Sequence, residues 1–140
     1  MNTNSEGDNH PKVLVIDDEP AILFTLKRIL EYAGYTVTTA QSGREGMSAF
    51  QQGQWDLVTL DRSMPDMNGE LVATELRKIA PSIPLVLITG FPHAVVRPEL
   101  FDAILPKPFR AAELVERLSQ AIAKRAPAAP EKRSTAGCCS

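Results

Sequence analysis

Four short apolar runs in this chain each lead to a residue able to do chemistry. Residues 57–60 run into Asp61, and 13–16 into Asp17 and Asp18. Residues 85–88 end on Thr89 and Gly90, and 103–105 run into Lys107 and Pro108. Runs of three or four residues, rich in branched side chains, are too short for helices and suit strands buried on both faces. In a parallel sheet such ends converge on one rim, where open α/β folds bind their ligands. The stretch from Asp56 to Gly69, D-L-V-T-L-D-R-S-M-P-D-M-N-G, is the sharpest case. It aims a strand at a carboxylate and then turns through Pro65 and Gly69 into a loop.

The segments between these runs read as helices. Asp18 is placed to cap the first, with Pro20 in its opening turn, where a missing N–H costs nothing. Ile22, Leu26, Ile29, Leu30 and Ala33 mark one helical face that Gly34 ends. Residues 35–39 form a strand, and Ser42 with Glu45 makes a capping box for the next helix. Trp55 opens the third strand. From Gly69, Val72, Leu76 and Ile79 mark a helix that stops before Pro81, and Pro84 opens the fourth strand. Pro92 and Pro98 leave residues 91–101 room for only a short or broken helix. After a strand at 102–106, a last amphipathic helix covers 109–124. Alternating elements of this kind predict a (βα)5 domain, a parallel sheet covered on both faces. Residues 1–11 read as a flexible leader, 12–124 as the domain and 125–140 as a disordered tail.

With 140 residues, 44% hydrophobic and 23% charged, the chain has material for one ordinary core. Its net charge of −2 gives no electrostatic reason to bind nucleic acid. A spanning helix and a signal peptide are both missing from the pattern, so a cytoplasmic location is expected, away from membranes. Cys138 and Cys139 are adjacent in the tail and read as exposed thiols, since they lack the spacing of a zinc site or a prenylation box.

The chemistry lies at the strand ends. Asp17, Asp18 and Asp61 crowded on one rim would repel one another, and either protonation or a hard divalent cation would relieve them. Mg2+ suits carboxylate oxygens and water. Asp61 could then attack a phosphoryl group and become an acyl phosphate. Lys107 supplies a point charge for a phosphoryl oxygen, and the Thr89 hydroxyl can donate to another. Singly, an Asp after a strand is an ordinary helix cap, Thr89 a strand-end hydroxyl and Lys107 a surface charge. Four such ends in this order carry more than any one of them.

The chain resembles the receiver domains of two-component response regulators over residues 12–124. The motifs are V-L-V-I-D-D-E-P at 13–20, L-D-R-S-M-P-D-M-N-G at 60–69, L-I-T-G at 87–90 and K-P-F at 107–109. The resemblance implies a flavodoxin-like, doubly wound fold with strand order 2-1-3-4-5. It implies that Asp61 accepts a phosphoryl group from a histidine of a sensor kinase or a histidine phosphotransfer protein. It further implies that Asp17, Asp18, Asp61 and the backbone carbonyl of Ser63 hold Mg2+. Thr89 would turn toward the phosphoryl group on activation, and the proline after Lys107 is often cis in the family. On this reading the protein is a phosphoacceptor and not an enzyme in the turnover sense.

Two departures stand out. The family's aromatic switch position, three before the lysine, is Ile104, which cannot flip a ring. The segment between Thr89 and Lys107 is also short and proline-interrupted, so a dimer through that face is not expected and a monomer is. His10 and His93 are the only histidines, and neither sits on a long helix, so the phosphodonor must be another protein. A stand-alone regulator acting on a downstream protein target is the leading expectation, with a receiver from a hybrid histidine kinase as the alternative. A haloacid-dehalogenase-type phosphatase would need an acid/base Asp where Ser63 stands. A receiver that folds without being phosphorylated would not need the intact five-residue set.

Overall fold

Side chains of a strand point alternately to its two faces, so a strand covered on both must be apolar throughout. β3 (Leu57–Asp61) and β4 (Leu85–Thr89) meet that condition except at Thr59 and at their last residues, Asp61 and Thr89, and every residue of both is buried. A computed structural model describes residues 10–125. In it β1 (Lys12–Ile16), β2 (Thr36–Ala40), β3, β4 and β5 (Ala103–Pro106) form one parallel sheet ordered β2-β1-β3-β4-β5. This is the flavodoxin-like order expected.

α1 (Pro20–Tyr32) and α4 (Ala111–Arg125) cover one face, α2 (Gly43–Gln52) and α3 (Gly69–Ile79) the other. Under α1 and α4, Leu26, Leu30, Leu114 and Leu118 pack on Val13, Val15 and Ile88. Under α2 and α3, Phe50, Val72 and Leu76 pack on Leu14, Leu60 and Leu87. Both rows follow the alternation of the strands. The expected leader and tail, with both cysteines, lie almost wholly outside the described residues.

Several boundaries differ from the sequence reading, each for a local reason. β2 begins at Thr36 because the Tyr35 amide donates back to the Leu30 carbonyl, completing the cap in which Gly34 adopts φ 103°. β3 begins at Leu57, because the Trp55 indole turns back to donate to the Phe50 carbonyl. α4 begins at Ala111, with the Arg110 carbonyl accepting from Leu114. Asp18 does not cap α1. The flanking residue is Glu19, without a side-chain cap, and it is Asp17 Oδ1 that accepts the Glu19 amide at 2.9 Å.

The connection from β4 to β5 carries no helix. It holds two single 3-10 turns, Pro92–Ala94 and Pro98–Leu100, each opened by one of the prolines. α3 holds this connection in place with two charged residues seven apart, hence on one helical face. Glu70 accepts from the Val96 and Arg97 amides at 3.0 and 3.2 Å. Arg77 donates to the Leu100 carbonyl at 3.1 and 2.8 Å and to Asp102 at 3.2 Å.

Candidate functional site

The register of the sheet decides which residues meet. Ile16 lies beside Leu60, so the next residue of each strand, Asp17 and Asp61, emerges at the same level. Asp61 in turn lies beside Ile88, and Thr89 beside Pro106. Asp17, Asp61 and Thr89 are 2%, 6% and 3% exposed, so all three polar groups are held at the edge of the core.

Asp17, Asp18 and Asp61 each present a carboxylate oxygen within 4.8 Å of the other two. At that separation and an effective dielectric near 20, each pair of ionised groups repels by roughly 3 kcal/mol. Lys107 offsets part of this, its Nζ donating to Asp61 Oδ1 at 3.0 Å. A cleft of about 330 Å³ opens above, lined by Asp18, Glu19, Asp61, Ser63, Thr89, Gly90, Phe91 and Lys107. A larger concavity, about 610 Å³, lies at the opposite end of the sheet around Trp55 and Pro81 and has no part in this cluster.

Burial pushes the Asp17 carboxyl up to about 6, the neighbouring Asp61 charge adding to it and the Glu19 amide opposing. Burial likewise raises Asp61, against the pull of Lys107. The Lys107 ammonium is held above its ordinary value because its hydrogen bond and attraction to Asp61 outweigh its own desolvation. Three carboxylates against one ammonium leave two negative charges unbalanced when all are ionised. Hard oxygen donors with that deficit fit a divalent cation of the Mg2+ type.

The remaining parts are set by local structure. The Thr89 hydroxyl accepts from the Phe91 amide at 2.9 Å. The Lys107–Pro108 peptide is cis. The loop after Asp61 is fixed at both ends, the Arg62 amide donating to Ile88 O and the Gly69 amide to Arg62 O. Its middle is tied by Asp66, whose carboxylate accepts the Gly43 and Arg44 amides at the start of α2 at 3.1 and 2.9 Å. Those backbone donors, Arg44 foremost, hold the Asp66 carboxyl below the usual range. Ser63 lines the cleft beside Asp61 as expected, and Ile104 packs, half-buried, against the α2–α3 side of the core.

Residues 13–119 match the family model described as "Response regulator receiver domain". The chain belongs to the response regulator receiver family. Among curated relatives, Response regulator MprA of Mycolicibacterium vanbaalenii is 33% identical over 120 residues, 83% of this chain and 52% of that protein. Transcriptional regulatory protein GlrR of Escherichia coli is 33% identical over 124 residues, 86% of this chain and 28% of that protein. The receiver thus spans about half, or less, of the length of these relatives. Among solved structures, response regulator TrrA of Thermotoga maritima, in complex with Mg2+ and BeF, is 35% identical, with TM-score 0.75 over 79% of this chain and 98% of that one. A CheY-like receiver domain protein of Methanospirillum hungatei has TM-score 0.79 at 26% identity, covering 86% and 99%.

All the site residues expected from sequence come to this one rim. The sequence reading missed Arg62, Glu70 and Asp66. Asp66 and Glu70 are ordinary loop and first-turn acids in the sequence, and only the fold shows which amides they meet. Among the described residues of the receiver, no helix is long and apolar enough to cross a membrane.

Proposed function

We propose that this receiver accepts one phosphoryl group on Asp61 from a histidine of a sensor kinase or histidine phosphotransfer protein, in a Mg2+-dependent step. The supporting observation is the convergence of Asp17, Asp18 and Asp61 within 4.8 Å, with Lys107 on Asp61 and Thr89 lining the same cleft. Asp17, Asp18, Asp61 and the backbone carbonyl of Ser63 would hold the cation, which when bound neutralises charge on the phosphoryl oxygens.

In the transfer, a carboxylate oxygen of Asp61 attacks phosphorus and the P–N bond to the donor imidazole breaks. The electron pair of that bond stays on the imidazole nitrogen, which takes up a proton. Lys107 offsets charge developing on the phosphoryl oxygens, and the Thr89 hydroxyl donates to one of them. Nothing in these roles requires turnover of a free substrate; the protein is a phosphoacceptor whose acyl phosphate is the signal. The output is a contact with a downstream protein or onward phosphotransfer, made in the cytoplasm.

Acetyl phosphate with Mg2+ is expected to add one base-labile phosphoryl group by intact-mass spectrometry. Asp61→Asn should abolish the gain, and chelation of the metal should slow it strongly. An equal gain in the mutant, or none in the wild type, overturns the proposal.

A further inference from the structure

The loop from Arg62 to Asn68 carries the Ser63 carbonyl, and few contacts hold it to the rest of the domain. Met64 enters the α2–α3 side of the core, and the Gly69 amide closes the loop on the Arg62 carbonyl at 2.8 Å. Ser63, Pro65, Asp66 and Asn68 are exposed. Beyond Met64, it is Asp66 and Met67 that hold the loop against the start of α2. Gly43 makes the approach close, since a Cβ there would lie 2.8 Å from Met67 Cβ.

Asp66 uses both carboxylate oxygens, Oδ1 accepting from the Gly43 amide at 3.1 Å and Oδ2 from the Arg44 amide at 2.9 Å. These are the first two amides of α2, and a helix has no partners of its own for them. The third, Glu45, donates to the Ser42 hydroxyl at 3.0 Å. The first turn is therefore capped in two parts, one local and one brought by the loop. A carboxylate on amides at the positive end of a helix makes a charge-assisted contact, stronger than a neutral one. The cap of α2 and the anchor of the loop are a single contact.

We propose that Asp66 is a positioning residue for the Mg2+ centre: by holding the α2 amides it fixes the β3–α3 loop, and with it the place of the Ser63 carbonyl in the cleft. Asp66 is not among the residues lining the cleft and would not touch the cation. It acts through the three peptide units between Ser63 and Asp66, limiting how far that carbonyl drifts from Asp17, Asp18 and Asp61. Groups that orient a ligand without touching the metal set its affinity in this way. The inference rests on the Mg2+ reading proposed above, in which the Ser63 carbonyl is a ligand.

Calorimetric titration of the full, unphosphorylated chain with MgCl2 tests this, in about 0.15 M salt to screen the charge that the variants lose. Asp66→Ala should weaken Mg2+ binding roughly three- to tenfold, less than the loss of about 10- to 100-fold typical of a ligand's direct hydrogen-bond partner. Asp66→Asn, which keeps one acceptor oxygen, should fall between the two and serves if the alanine variant misfolds. Ser42→Ala removes only the local half of the cap. It should lower the melting temperature, as Asp66→Ala does, and leave Mg2+ affinity unchanged. Asp66 variants that bind Mg2+ as the wild type does overturn the proposal and leave the Mg2+ reading standing. A Ser42→Ala variant that weakens Mg2+ binding as much also overturns it, because loss of helix capping would then account for the effect. A wild type that binds no Mg2+ overturns the Mg2+ reading and this inference with it.

Discussion

Thr59 lies in the middle of β3, between Val15 and Val86, and is 1% exposed, yet its hydroxyl has no hydrogen-bond partner. A buried hydroxyl without a partner costs about 1–3 kcal/mol. Thr59→Val keeps the shape and is expected to stabilise the fold by roughly 1–2 kcal/mol in urea titrations. Destabilisation would show that the hydroxyl is satisfied after all. Asp17 has a pH consequence. Its folded value of about 6 lies above the ordinary 3.8, so the native state holds the proton more tightly than the unfolded one. Stability from this group is therefore fully present below about pH 4 and is lost as pH rises to about 6, on the order of 3 kcal/mol. Asp61 acts in the same direction. The wild type minus Asp17→Asn difference in chemical denaturation should follow that slope. Mg2+ should restore wild-type stability above pH 6, not near pH 4, and a flat difference would contradict the assignment.

At the scale of elements, the β3–α3 loop is the tightest join. A Cβ on Gly69 would sit 2.5 Å from the Asp61 carbonyl oxygen and 2.9 Å from the Arg62 Cα. Both are backbone atoms, so the loop would have to move. Gly69→Ala is expected to destabilise by about 1–3 kcal/mol and to slow phosphorylation by acetyl phosphate. Unchanged melting and phosphorylation would mean that the loop yields freely. The β4–β5 connection shows the opposite case. Its prolines announced the broken helix, but the acids and bases that secure it, Glu70 and Arg77, belong to α3. Their partners, backbone groups and the Asp102 carboxylate, lie far along the chain, which no local pattern encodes.

For the molecule as a whole, the two 3-10 turns leave no helix on the face between β4 and β5 for a second copy to pack against. Sedimentation at micromolar concentration is expected to show a monomer with and without acetyl phosphate and Mg2+. A tight dimer formed on phosphorylation would refute this.

The residues themselves determined much of this protein. Apolar runs ending on Asp17, Asp61, Thr89 and Lys107 dictated strands that deliver those groups to one edge, because an extended chain presents the residue just past its buried stretch. Strand order came from resemblance to a family, and the packed sheet then made it physical: the register of β1 against β3 sets Asp17 level with Asp61. What only tertiary structure decided concerns long-range partners. Asp17 rather than Asp18 receives the Glu19 amide, Asp66 caps α2, and Arg62 with Glu70 grips residues 94–97. These depend on which backbone amides the fold leaves without a partner nearby, and burial supplies that need only once the chain is folded.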